Sequence, residues 1–254
     1  MPAPVNTLKQ RLAAGETTFG CWLSFAESNV AEMMGTAGFD WLVIDGEHAP
    51  NDIRSIRDQL MALQGSPSSV GVRVPIGETW MIKQVLDAGA QTIVVPMVET
   101  AKQARDLVRA CTYPPTGKRG VGASSTRASR FSGIPDYLTT ADHQICLIVQ
   151  VESRAGIAAL DDILAVDGID GVFIGPADLA SDMGHSGDAT VPEVHDTIID
   201  ATKRIAASGK APGIMSLGDG TQTYLAAGAR FIAVGIDVLY LVKNARQAAA
   251  KWVG

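Results

Sequence analysis

The sequence is short of cysteine, histidine and aromatic side chains. Its three cysteines, Cys21, Cys111 and Cys146, are widely separated, with no CxxC and no Cys/His zinc spacing. An odd, scattered set of this kind argues against a disulfide framework and a thiolate zinc site. It reads instead as small buried hydrophobes in a reducing compartment. Charge is also sparse, at 19% of residues, and 21 basic against 27 acidic side chains leave a net −6. That balance argues against nucleic acid or an anionic membrane as the main partner. No window approaches the ~20 consecutive apolar residues of a membrane span. The opening "MPAPVNTLKQRLAAGE" has no apolar core followed by a small-residue cleavage site. A cytoplasmic location is expected.

Apolar residues make up 46% of the 254, enough for a large core. They fall in eight short runs: "TFGCWLSF", "WLVID", "VGVRVP", "TIVVPMV", "QICLIVQVE", "GVFIG", "APGIMSL" and "RFIAVGI". Between most runs lie stretches such as "DIRSIRDQLMAL", "TAKQARDLVRAC" and "EVHDTIIDATKRIAASG", whose apolar positions recur at i, i+3, i+4. "AGFDWLVID", "AGAQTIVVP", "DGIDGVFIG" and "AGARFIAVG" form a weak repeat. Its glycines, Gly38, Gly89, Gly168 and Gly228, suit left-handed positions where each helix ends and the chain turns into the sheet. Strands apolar on both faces belong to a covered parallel sheet. Eight βα units in one chain without a linker predict a single (β/α)8 TIM barrel over residues 1–254. The longest irregular stretch, residues 113–138, is long enough to expect a functional loop.

In such a barrel the catalytic groups gather at the C-terminal strand ends. Polar residues fall there. Asp45, Glu47 and His48 follow the second run, Arg73 lies late in the third, Gln150 and Glu152 end the fifth, and Asp178 follows the sixth. Glu152 and Asp178 are oxygen donors that would repel without a cation between them, which suits a hard divalent ion such as Mg²⁺, Mn²⁺ or Co²⁺. Alternatively each carboxylate caps a helix, or Glu152 pairs with Arg154. His48 beside Asp45 makes a candidate general base with an orienting acid; the other reading is a hydrogen-bonded loop histidine. A guanidinium at Arg73, inside a core strand, demands an anion, either a substrate or a barrel carboxylate. His143, His185, His195 and Lys83 read as solvated, and "GKRGVG" lacks the order of a phosphate loop.

These motifs are similar to a known family. "FDWLVIDGEHAPND", "VRVP", "IKQVLDAGAQTIVVPMVET", "RASRF", "IPDYL", "LIVQVES" and "GIDGVFIGPADLASDMG" resemble the HpcH/HpaI family of metal-dependent 2-oxoacid aldolases. The resemblance runs from about Leu8 to Ala248. It implies a homohexamer, a trimer of dimers, with the C-terminal helix "LYLVKNARQAAAKW" exchanged between subunits. It implies Glu152 and Asp178 as metal ligands, His48 as proton carrier and Arg73 as enolate stabiliser. Asp45 and Asp87 would orient the histidine or raise its basicity. Gln150 and the backbone at Gly175 and Ala177 would hold the oxoacid, and Trp22 and Leu217 would line the site. The implied reaction is class II aldol addition of pyruvate or hydroxypyruvate to an aldehyde. "ASSTRAS" and Phe131 depart from the family pattern, which leaves the aldehyde open. Competing readings are an acyl-CoA lyase of the citrate lyase β or malyl-CoA lyase type, and a non-catalytic barrel that binds metal and carboxylates.

Overall fold

All eight apolar runs become strands in the structure, a computed structural model that describes residues 1–218 and 220–253. They are β1 (Thr18–Leu23), β2 (Trp41–Asp45), β3 (Ser69–Arg73), β4 (Thr92–Val95), β5 (Cys146–Val151), β6 (Gly171–Ile174), β7 (Ala211–Met215) and β8 (Phe231–Ile236). Each pairs in parallel with the next, and β8 returns to β1, closing the barrel. The first helices are α1 (Thr7–Ala13), α2 (Ser28–Met34), α3 (Ile53–Ala62), α4 (Thr79–Ala88), α5 (Ala101–Cys111) and α6 (Tyr137–Thr140). The remaining ones are α7 (Arg154–Ala158), α8 (Leu160–Leu164), α9 (Pro176–Asp182), α10 (Pro192–Ala207), α11 (Thr221–Ala227) and α12 (Asp237–Trp252). The four repeat glycines all take positive φ, at 90° for Gly38 and Gly168, 109° for Gly89 and 108° for Gly228.

Two buried clusters separate the faces of the sheet. Leu42, Ile44, Ile93, Val95, Leu147, Val149, Val172 and Ile174 pack outward with the helices. Trp22, Trp41, Val43, Val94, Cys146, Ile148, Phe173 and Phe231 fill the barrel. Because strand side chains alternate, the inward row of β2 reads Trp41, Val43, Asp45, and that of β5 reads Cys146, Ile148, Gln150. The interior is therefore apolar at its N-terminal end and polar at its C-terminal end. Trp41 stacks on Phe231 at 3.9 Å between centroids, in space that exists only because Gly20 has no side chain; a Cβ there would lie 2.0 Å from the indole. Burying each of these large side chains contributes about 1.5–3 kcal/mol. Below them α1 plugs the barrel with Leu8 and Leu12. Asn6 ties that plug down by donating to Gln91 O at 3.2 Å and to Thr92 Oγ1 and Gln144 O at 3.1 Å.

Two features lie outside the simple barrel. Residues 113–138 run from the end of α5 toward the start of β5, so they sit at the plugged end rather than at the polar mouth. They form a small core of their own, with Tyr113, Ile134 and Tyr137 around the fully buried Arg119. Helix α12 is exposed from Leu239 to its end, although it carries Leu239, Leu241, Val242 and Trp252. No helix among the described residues is long and apolar enough to cross a membrane.

Candidate active site

The barrel register places Asp45 directly opposite Arg73. Arg73 donates through Nε to Asp45 Oδ1 at 2.9 Å and through Nη2 to Oδ2 at 2.8 Å, a two-pronged clamp. Its Nη1 lies 2.9 Å from Glu47 Oε2, and the guanidinium stands 4.4 Å from the centre of the Trp22 ring. The charge is thus fixed by two acids and an aromatic face. Asp45 Oδ1 also accepts the backbone N–H groups of Glu47 at 3.0 Å and His48 at 3.3 Å. This corrects the role expected of Asp45. Its oxygens are taken by Arg73 and the turn, so it holds His48 through the main chain and not through the imidazole. The ring is 65% exposed, and the acid beside it is Glu47, with Nε2 3.8 Å from Oε2.

Across the mouth, Glu152 is only 3% exposed. Its Oε1 accepts the Met97 N–H at 2.8 Å, and its Oε2 accepts Gln150 Nε2 at 2.7 Å. Gly175 completes this cradle, since a Cβ there would fall 2.1 Å from Glu152 Oε2. Met97, whose N–H makes this bond, takes φ 55°, a region that costs a residue with a β-carbon about 1–2 kcal/mol. Burial pushes the Glu152 carboxyl above the ordinary range; the Met97 N–H opposes this, and Asp178 and Glu47 add to it. Burial raises Glu47 as well, against the pull of Arg73. Arg154 does not neutralise Glu152. Its backbone N–H and Nε go instead to Asp182, at 2.7 and 3.4 Å.

Four carboxylates, Asp45, Glu47, Glu152 and Asp178, therefore share one mouth with one guanidinium. That excess suits a divalent cation held by Glu152, which is buried and pinned, and Asp178, which stands exposed in the first turn of α9. Among the described residues no group of three or more His, Cys, Asp or Glu side chains is placed to hold a metal. A two-carboxylate site would leave most octahedral positions to water and substrate oxygens. Gln150 Oε1 and Trp22 Nε1 are buried with no hydrogen-bond partner among the described residues. Gly175 and Ala177 flank the start of α9, and Leu217 follows β7 half exposed.

One expected residue is elsewhere. Asp87 lies near the end of α4, toward the plugged end of the barrel, and pairs with Arg119 Nη2 at 2.9 Å. Within one chain it cannot reach His48. Sequence reasoning left two contributors unassigned. Glu47 was detectable as the second acid of the "DGEH" turn, whereas Met97 carries no signal in its residue type.

This barrel, with acids, a base and a guanidinium at its C-terminal mouth, belongs to the HpcH/HpaI aldolase/citrate lyase family, which the chain matches over residues 18–244. It is 61% identical over 253 residues, 99% of this chain and 98% of the relative, to the hydroxypyruvate/pyruvate aldolase of Roseovarius nubinhibens. It is 50% identical to the 4-hydroxy-2-oxovalerate aldolase of Rhodococcus jostii, across 99% of this chain and 98% of that one. The crystal structure of an HpcH/HpaI aldolase/citrate lyase family protein from Burkholderia cenocepacia J2315 superposes with TM-score 0.94 at 42% identity, covering 97% of this chain and 99% of that one. The chain is an aldolase, a carbon–carbon lyase.

Proposed function

We propose that this aldolase enolises a 2-oxoacid, pyruvate or hydroxypyruvate, and adds it reversibly to an aldehyde, cleaving 4-hydroxy-2-oxoacids in reverse. The observation that carries the reading is Glu152. It is a buried carboxylate pinned by Met97 and Gln150, with no cationic partner among the described residues, and within electrostatic range of Asp178 and Glu47. Glu152 and Asp178 would hold a divalent ion, Mg²⁺, Mn²⁺ or Co²⁺, whose contribution when bound would be Lewis acidity toward the keto group of the oxoacid.

The chain's own side chains do the rest. Arg73 has N–H groups not taken by Asp45, and these serve the oxygen that gains charge as the α-proton leaves. Their help is therefore concentrated in the transition state. His48 takes that proton from the carbon next to the ketone and returns it to the alkoxide formed when the new carbon–carbon bond closes. Its exposed position suits a group that exchanges protons with water. Asp45 positions Arg73 and, through two amides, the turn that carries His48. Gln150, Trp22 and the backbone at Gly175 and Ala177 bind the oxoacid, and Leu217 borders the aldehyde. A role for Asp87 requires a second copy of the chain. The unpacked apolar side chains of α12 support assembly through an exchanged helix, and with it the homohexamer.

Proton exchange tests the reading without any aldehyde. Wild-type protein with Mn²⁺ should wash deuterium from D₂O into the methyl group of pyruvate; EDTA should stop this and added Mn²⁺ restore it. Exchange that survives EDTA, or that never occurs, would overturn the assignment.

A further inference from the structure

We infer that a cavity at the plugged end of the barrel binds a small hydroxylated dianion, a polyol phosphate or a hydroxydicarboxylate, at Arg127 and Arg130. The cavity measures about 620 Å³, within the range of small-molecule sites. It lies between the ends of α3 and α4, the starts of β3 and β4, and the turn at residues 127–131. Its lining holds two charged side chains, both arginines, and no acid. In a chain of net −6 this is a local reversal of sign.

Arg127 makes three side-chain hydrogen bonds, all to neutral oxygens. Nη1 donates to Ala88 O at 2.9 Å, and Nη2 donates to Leu60 O at 3.3 Å and Gln64 Oε1 at 3.2 Å. The guanidinium thereby joins the ends of α4 and α3. Gly89 makes room for it, since a Cβ there would fall 2.4 Å from Nη1. Further N–H donors of the same group remain unused. Burial holds the Arg127 pKa below its ordinary value, with no acid to counter it. Arg130 has no ion pair and no side-chain hydrogen bond among the described residues. It stands at φ 54°, followed by Phe131 at 55° and Ser132 at 69°, a left-handed run that residues with a β-carbon rarely adopt.

The acids on the flanking segments carry cations of their own. Asp40 pairs with Arg11, Asp58 with Arg57, Asp87 with Arg119, and Asp136 with the Met1 ammonium. Two guanidiniums without a counter-charge fit a dianion. Beside them Thr7 and Ser69 share a single hydrogen bond of 3.0 Å, which leaves one hydroxyl hydrogen over, and Gln64 keeps its amide N–H groups. These suit the hydroxyls of the ligand. The site lies across the barrel from the mouth, and the inference does not depend on the proposed reaction.

The experiment is calorimetric titration of the full-length protein with glycerol 3-phosphate, malate and glycerol, with Mn²⁺ and after EDTA. One equivalent of either anion should bind per chain with Kd below about 1 mM and persist after EDTA, and glycerol should give no saturable heat. The tighter of the two anions distinguishes a phosphate ester from a dicarboxylate. Gln64→Glu keeps the oxygen that Arg127 contacts and adds a negative charge beside it, so affinity should fall at least about tenfold. Arg130→Gln should cost about as much, the scale of a lost charge-assisted hydrogen bond. Both side chains are exposed, so both variants should melt near the wild type. No saturable binding of either anion, binding that vanishes with EDTA, or unchanged affinity in either folded variant would overturn the inference.

Discussion

Gly175→Ala is the sharpest probe of the candidate metal site. The added Cβ would lie 2.1 Å from Oε2, 2.8 Å from Cβ and 3.1 Å from Cδ of Glu152. Ordinary contact begins near 3.4 Å, so Oε2 must retreat by more than an ångström. Swinging the carboxylate aside does not relieve the clash, because the Glu152 Cβ is also too close. The backbone of β5 or β6 must shift instead. Such a shift stretches the 2.7 Å bond from Gln150 and the 2.8 Å bond from Met97. Hydrogen bonds to a charged group contribute about 1.5–3 kcal/mol each, and losing one corresponds to at least about a tenfold loss of ion affinity. A misplacement near 1 Å also costs turnover roughly 10²-fold. Calorimetric titration of Mn²⁺ into EDTA-stripped protein measures the first effect, pyruvate exchange in D₂O at saturating Mn²⁺ measures the second, and thermal melting confirms that the variant folds. A folded Gly175→Ala variant with wild-type Mn²⁺ affinity would refute the claim that this missing side chain shapes the ligand.

Three other substitutions test different parts of the molecule. Arg73→Lys keeps a positive charge but loses the two-pronged fit to Asp45, and turnover should drop at least ~10²-fold in steady-state assays; near-normal turnover would remove the guanidinium from the chemistry. Asp237 starts α12 and accepts N–H bonds from Ser24, Phe25 and Val238. Asp237→Asn turns an amide toward one of those donors and should destabilise the fold by about 1–3 kcal/mol in urea titrations. Burial raises the Asp237 carboxyl above its ordinary 3.8, so between 3.8 and the raised value the folded state binds more protons than the unfolded one. Its contribution to stability is greatest at low pH and declines as pH rises through that window. The wild-type advantage over Asp237→Asn should therefore shrink from pH 4 upward, and a constant gap would contradict the shift. Leu241→Glu, on the exposed face of α12, should reduce the mass seen by light scattering; an unchanged mass would mean that α12 makes no subunit contact.

The strands were legible because each is a short apolar run buried on both faces. Two helix ends were legible, because Gly89 and Gly228 cap α4 and α11 in the left-handed conformation; Gly38 and Gly168 also take positive φ, but three residues past the caps of α2 and α8, which are Gly35 and Ala165. The same uniform hydrophobicity hid which face of each strand looks inward. That distinction needs the barrel to close, and with it the opposition of Asp45 and Arg73. The acids at the strand ends were visible as costly groups in apolar surroundings, but their partners depend on register. Asp45 accordingly was matched to the adjacent histidine in sequence and not to an arginine 28 positions away. The length of residues 113–138 signalled importance, whereas their place follows from connectivity, since a segment leading into a strand lies at that strand's beginning.

The plug built from α1 and the stacked Trp41 and Phe231 leaves the barrel with a single opening. Both reactants must pass through it, and the one bound deeper blocks nothing behind it but is itself blocked by what arrives later. Kinetically this is a one-door room: if the oxoacid binds at Glu152 as proposed, it is first in and last out. Dead-end inhibition by an aldehyde analogue should accordingly be uncompetitive against the oxoacid.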